Sequence, residues 1–230
     1  MKKILLFASA LAGLFLAASC QQEMLSPAMG GDANVTFNVA AGDVATKADI
    51  ADGTNVDILY WEIYGDINQA PLGEGSVNKT TDKHFTVELK LVADQHYTII
   101  FWAEVEGKGH YVTDDLRKVA INTYADEKAN DETRAAFFAV YSFDTENGES
   151  IKEDIYLYRP FSQINLGATT YETSFNLVQG GLKVESTEMT VNKIANVFNT
   201  ITGMGETEGS FDGKVTFKAN DDILALFLNN

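Results

Sequence analysis

The sequence predicts an all-β protein, an antiparallel sandwich or barrel with one or two short helices at most. Three observations carry this expectation. Apolar and polar residues alternate with period 2 along several short runs, the mark of half-buried strands. Clusters of Gly with Asp or Asn punctuate those runs. Finally, little room remains for the crossover helices of a dozen or more residues that parallel strands require. Hydrophobic residues make up 45% of the 230 positions, which suits a packed globular chain and argues against wholesale disorder.

The runs follow in order. Val35, Phe37 and Val39 alternate with Asn34, Thr36 and Asn38. Val56–Tyr64 (VDILYWEIY) is an aromatic-rich strand. Phe85, Val87, Leu89 and Leu91 alternate with Thr86, Glu88 and Lys90. Tyr97, Ile99, Phe101, Ala103 and Val105 form one face of a long strand, whose other face carries Ile100 and Trp102, so its centre is apolar on both sides. The clusters at Gly65-Asp66, Gly73-Glu74-Gly75, Gly107-Lys108-Gly109 and Asn147-Gly148 read as turns. Short helices are expected near 113–118 and 125–136. A second β block begins after Arg159-Pro160, because proline is tolerated at strand starts. It contains Phe161–Ala168, Leu182–Val191, Ile194–Phe198, Val215–Phe217 and Ile223–Leu228. Its 70 residues are few for an independent sandwich of roughly 100. The expected division is a signal over 1–19, a tether over 20–32, an N-terminal β-sandwich domain over 33–160 and a small or incomplete C-terminal β domain over 161–230.

The N-terminus is an address. Lys2 and Lys3 precede an apolar run from Ile4 to Ala18, the layout of a secretory signal. The segment Leu16-Ala17-Ala18-Ser19-Cys20 resembles a bacterial lipobox, in which cleavage precedes a cysteine whose thiol carries diacylglycerol. Cys20 is the only cysteine, so it is read as the lipidation site, and no intramolecular disulfide or thiol catalysis remains. Loss of Lys2 and Lys3 with the signal leaves 15 basic against 33 acidic residues, a charge of −18. Such acidity argues against a nucleic-acid partner.

No catalytic signature is present. There is no nucleophile elbow, P-loop or dinucleotide-binding glycine motif. Gly203–Gly209 reads as an acidic loop. His84, His96 and His110 lack metal-ligand spacing and read as surface residues. The pairs Asp114-Asp115, Asp131-Glu132, Glu153-Asp154 and Asp221-Asp222 follow from the acidic excess, without a calcium-loop pattern. Neither a catalytic residue nor a metal or other cofactor is expected. Tyr60, Trp61, Tyr64, Trp102 and Tyr111 are the candidates for a sugar-binding platform, with a sandwich core as the commoner use of such residues.

Several segments in order carry a resemblance: Val35–Val39, Ala45-Thr46-Lys47-Ala48, Asp57–Tyr64, Tyr97–Ala103, Asn130–Ala139 and Leu157–Asn165. Together they resemble the fimbrillin-like lipoproteins of Bacteroidales, subunits and accessory proteins of type V pili. The resemblance implies tandem transthyretin-like Greek-key β-sandwiches, no enzymatic activity, and lipid anchoring in the outer membrane through acylated Cys20. It also implies partners: other fimbrial subunits, joined by β-strand addition. In polymerising members a protease removes an N-terminal strand by cutting after a basic residue. Here the matching strand is Val35, Phe37 and Val39. Lys47 is the only basic residue between Cys20 and Lys79, so Lys47-Ala48 is the candidate processing site, with Lys where those members commonly carry Arg. The alternative function is a surface lipoprotein that binds a glycan or another ligand.

Overall fold

The run that is apolar on both sides becomes the inner strand of the fold. The computed structural model describes residues 31–42, 55–81, 83–122, 131–167, 186–219 and 223–229. The strands are β1 (Asp32–Ala41), β2 (Ile58–Tyr64), β3 (Gly73–Asn78), β4 (His84–Val92) and β5 (His96–Glu104). Then come β6 (Tyr111–Val112), β7 (Lys118–Ile121), β8 (Phe137–Asp144), β9 (Ser150–Leu157) and β10 (Phe161–Gly167). The chain continues through β11 (Thr187–Asn192), β12 (Val197–Asn199), β13 (Met204–Glu206), β14 (Lys214–Ala219) and β15 (Ile223–Asn229).

Three sheets stack into layers. The middle one has the order β3-β2-β5-β8 and is antiparallel throughout. Ile99, Ile100, Phe101, Trp102 and Ala103 of β5 all have zero exposure, so this sheet is covered on both faces. On one side lies the sheet β4-β1-β9. There Phe37 of β1 meets Phe101 and Phe143 edge-on, each at a centroid distance of 5.4 Å. On the other side lies β13-β12-β7-β6. There Trp102 meets Tyr111 at 5.3 Å and Phe198 at 6.3 Å, and Phe138 meets Phe198 at 4.7 Å. Successive side chains of β5 thus serve alternate cores, as the two-residue period of a strand requires.

The strands after Pro160 contribute to that arrangement. Val197–Asn199 pair with Lys118–Ala120 of β7, and Phe161 and Phe198 belong to the main core. Two further antiparallel pairs are β10-β15 and β11-β14. The latter carries a small separate cluster of Ile194, Val215 and Phe217.

The structure corrects several expectations. The strands are not all antiparallel, because β1 pairs with β9 in parallel over Asn34–Ala41. The intervening strands, rather than a helix, provide the crossover. Residues 114–117 form bends and a turn and 113–118 contains no helix, because the Asp115 carboxylate accepts from Arg117 N at 3.0 Å and closes an Asx turn. Within the described part of 125–136 there is only a 3₁₀ turn, Glu132–Arg134, capped by Asp131. Gly73-Glu74-Gly75 is strand rather than turn. Gly75 stands opposite Trp61, and a Cβ on it would lie 2.8 Å from the indole. The absent side chain therefore leaves room for the ring. Gly203–Gly209 is not a loop throughout: Met204–Glu206 pair with Val197–Asn199, and Gly203, at φ 67°, occupies the left-handed turn that closes this hairpin.

Two carboxylates are buried in the core between the middle sheet and the β7 side. Glu104 is 5% exposed and accepts from Trp102 Nε1 at 2.8 Å. Burial pushes its carboxyl up to about 7, against the opposing pull of that hydrogen bond, and the charge of Asp57 adds to the rise. In the unfolded chain a Glu titrates near ~4.3. Between these values the native state keeps a proton that the unfolded state has lost. Stability is therefore full below the lower value and falls as pH rises through the higher one, by on the order of 3 kcal/mol. Urea unfolding of Glu104→Gln should match the parent near pH 4 and exceed it at pH 8. A second expectation concerns packing: Phe37→Ala should cost about 3–5 kcal/mol through loss of a fully buried ring. Val112→Ala, at an exposed position, should cost within about 0.5 kcal/mol by the same measurement.

Candidate functional site

The expected exchangeable strand is β1, and its sequence explains its place. The alternation DANVTFNVAA puts Ala33, Val35, Phe37, Val39 and Ala41 on one face, and each of them is at most 1% exposed. Asn34 and Asn38 point outward and are exposed. The Asn38 amide donates to Asp154 Oδ1 of β9 at 2.9 Å. β1 lies between two neighbours. Val35, Phe37 and Val39 stand opposite Leu89, Val87 and Phe85 of β4 in antiparallel register. In parallel register they stand opposite Ile151, Glu153 and Ile155 of β9. The strand therefore fills a slot whose rims are two backbones and whose floor includes Phe101 and Phe143. Cys20, Lys47 and Ala48 lie outside the described residues.

The five aromatic candidates do not make an exposed platform. Tyr64, Trp102 and Tyr111 are buried in the core. Tyr60 and Trp61 are half-buried, and as neighbours in a strand they project to opposite faces of β2.

The histidines are scattered. His84 and His96 are exposed, with His96 Nδ1 2.8 Å from Asp144 Oδ1. His110 corrects the surface reading, because its side chain is only 15% exposed. Its Nε2 lies 2.8 Å from Thr133 Oγ1, and that hydroxyl donates to Asp131 Oδ1 at 2.6 Å. The hydroxyl's one proton is thus committed, so Nε2 carries the hydrogen and donates. Burial holds the imidazole below its usual value, and the Arg134 charge acts in the same direction. This is a staple between the β5–β6 connection and the 3₁₀ turn. Tyr111 strengthens it by donating its hydroxyl to the Arg134 carbonyl. Among the described residues no three His, Cys, Asp or Glu side chains gather at metal-holding distance.

The acidic pairs separate as well. Asp115 binds Arg117 through two oxygens, at 2.9 Å each, while Asp114 lines a surface cleft. Asp131 caps the 3₁₀ turn and Glu132 accepts from Asn55 at 3.0 Å. Glu153 and Asp154 alternate along β9, and Asp221-Asp222 lie outside the described residues. Sequence reasoning missed the buried carboxylates Glu62 and Glu104. Their signal is legible afterwards: each is a lone acid inside an apolar strand, in LYWEIY and FWAEV.

No helix among the described residues is long and apolar enough to cross a membrane. No curated protein matches this sequence. Among solved structures, a putative polysaccharide-binding protein of Bacteroides thetaiotaomicron shares the fold with TM-score 0.52 at 13% identity, over 85% of this chain and 71% of that one. A putative adhesin from Bacteroides ovatus matches with TM-score 0.50 at 14% identity, over 86% and 68%. The tip fimbrial protein Mfa3 from Porphyromonas gingivalis, with a C-terminal truncation, matches with TM-score 0.50 at 11% identity, over 86% and 68%. The fold is thus one found in adhesion and fimbrial proteins of Bacteroidales, and none of the three is an enzyme by name. Residues 28–225 match the model of DUF6562, a family of unknown function, and the chain belongs to that family.

Proposed function

We propose that this chain is a non-enzymatic surface lipoprotein, a fimbrial structural or accessory subunit that assembles by β-strand addition. The observation that carries the reading is the position of β1. It is the middle strand of its sheet and buries every inward side chain, yet it joins the rest of the domain through a segment, 43–54, that contains the single basic residue Lys47. A cut after Lys47 would free β1 and bare a slot between β4 and β9. A strand from another subunit with apolar residues at every second position would refill it, backbone hydrogen bonds giving affinity and side chains giving register. The fold shared with the tip fimbrial protein and the adhesin supports this reading. Transthyretin-like topology, a lipid anchor on Cys20 in the outer membrane and processing at Lys47-Ala48 all belong to the same proposal. For the glycan-binding alternative, the five aromatic candidates offer no exposed platform, since Tyr64, Trp102 and Tyr111 are buried and Tyr60 and Trp61 are half-buried.

Limited trypsin treatment tests the assembly. The expected products are a new N-terminus at Ala48 and heat-stable multimer ladders on denaturing gels, both lost in Lys47→Ala. A protein that stays intact at that bond and forms no multimers is not a polymerising subunit. The anchor is tested separately. Cys20→Ala should move the protein from the membrane fraction to the soluble periplasmic or secreted fraction, and continued membrane association would refute acylation at that position.

A further inference from the structure

Asn147-Gly148 is the only Asn-Gly pair in the 230 residues, and it forms the centre of the turn between β8 and β9. Glu149 N donates to the Glu146 carbonyl at 3.3 Å across that turn. Gly148, at φ 75°, takes a left-handed position of the kind that turns reserve for glycine. The flanks of the turn are fixed. Thr145 is 2% exposed, its N–H donates to the Gln95 carbonyl at 2.9 Å, and its carbonyl accepts from Asp94 N at 2.8 Å. On the other flank the Glu149 carbonyl accepts from Asn34 N of β1 at 3.2 Å. Residues 146–149, between those anchors, are exposed.

The exposed centre also touches the start of β1. A Cβ placed on Gly31 would lie 1.7 Å from Asn147 Oδ1 and 2.5 Å from Asn147 Cγ. The Asn147 amide therefore occupies the space that a side chain at position 31 would fill. The Gly31 carbonyl is held in turn by Ala93 N at 2.8 Å. The β8–β9 turn, the β4–β5 connection and the first residues of β1 thus meet at one end of the sandwich. The charged side chains of these three segments are all acidic: Asp32, Asp94, Glu146 and Glu149. Lys90 of β4 pairs with Asp32 at 2.6 Å.

We propose that Asn147 is a site of spontaneous covalent modification, and that its conversion loosens the start of β1. The Gly148 amide nitrogen attacks Asn147 Cγ. An N–Cγ bond forms, the Cγ–Nδ2 bond breaks, and ammonia leaves with the proton from Gly148 N. Water then opens the five-membered succinimide ring at either carbonyl and leaves aspartate or isoaspartate. Glycine favours the first step because it has no Cβ to crowd the attacking nitrogen, and its conformational freedom lets the central peptide of the turn rotate into line. Either product sets a new carboxylate among four acids. Isoaspartate also lengthens the backbone of the turn by a methylene. Both changes bear on the Asn34–Glu149 hydrogen bond, where β1 first meets the β9 side. The reaction proceeds on the uncut chain and needs no partner, so it stands or falls separately from strand addition.

Ageing the purified protein at mildly alkaline pH tests both halves. Tryptic digestion yields the fragment Ala135–Lys152, in which Asn147 is the only side-chain amide. That fragment should gain the mass difference between an amide and an acid, and split into two chromatographic forms, at least tenfold faster than fragments carrying the other asparagines. Asn147→Gln should abolish the gain, since the longer side chain closes its six-membered ring far more slowly. Hydrogen exchange reads the consequence. In the aged protein and in Asn147→Asp, the Asn34 amide should exchange at least threefold faster than in the unaged parent, with the amides of Ile99–Ala103 unchanged. If Asn147→Asp does not fold, the aged parent alone decides. An unmodified fragment after ageing, a gain that persists in Asn147→Gln, or equally fast modification of the other asparagines overturns the site. Asn34 exchange that stays at the parent's rate overturns the loosening. So does equal acceleration in β5, which would mean that the whole fold weakens instead.

Discussion

Everything in this fold depends on β5 being apolar on both faces. A strand of that kind has no solvent side, so a single sandwich cannot satisfy it, and a third layer is required to cover the second face. The sheet β4-β1-β9 covers Phe101 and its odd-numbered neighbours, and the sheet β13-β12-β7-β6 covers Trp102 and its even-numbered ones. The latter sheet recruits β12 and β13 from beyond Pro160. The chain after that proline is therefore tied to the first block by the need to bury Trp102 and Phe138, through Phe161 and Phe198.

Double coverage also explains the polar groups that end up inside. A strand with two buried faces has no outward position for an acid, so Glu62 and Glu104 are enclosed with whatever donors lie nearby. Glu104 receives the Trp102 indole N–H from its own face of β5. Glu62 receives the Tyr64 hydroxyl and a backbone N–H from the far side of the cleft. An unpaired buried carboxylate costs several kcal/mol, and these partners reduce that cost while fixing local geometry. Leu116 can reach Glu62 only because the 113–118 segment is bent by Asp115 and Arg117 rather than wound into a helix.

The legible part of the fold is the part whose apolar pattern shows in the local sequence. Val35–Val39, Phe85–Leu91 and Phe161–Gly167 alternate in sequence and are strands in the structure. β5 was legible by its two apolar faces. Edges were not. SIKEDIYL, the outer strand β9, reads as polar because its outward residues, such as Lys152 and Asp154, are solvated. GEGSVN, the outer strand β3, reads as a turn because of its two glycines, of which Gly75 makes room for Trp61. Alternation likewise fixed which residues of β1 point inward but not which strands flank it, because register and direction come from distant partners. His110 shows the same limit on a smaller scale: its burial depends on Thr133 and Asp131, more than twenty residues along the chain.

The direction of β1 bears on what the strand can do. In the sheet β4-β1-β9 it is parallel to β9, and the chain between them builds β4, the whole middle sheet and two strands of the third layer. The only covalent link from β1 to the rest of the described structure is the segment leading to β2. Besides the Asn38–Asp154 hydrogen bond and an Asp32–Lys90 ion pair at exposed positions, the ties are backbone ladders to β4 and β9 and the burial of small and medium side chains around one ring, Phe37. Such ties are generic. Any extended segment with a large residue flanked at two-residue spacing by smaller apolar ones meets the same hydrogen-bond rims and the same floor. The geometry that makes β1 indispensable to this sheet is thus the same geometry on which the proposed strand addition rests.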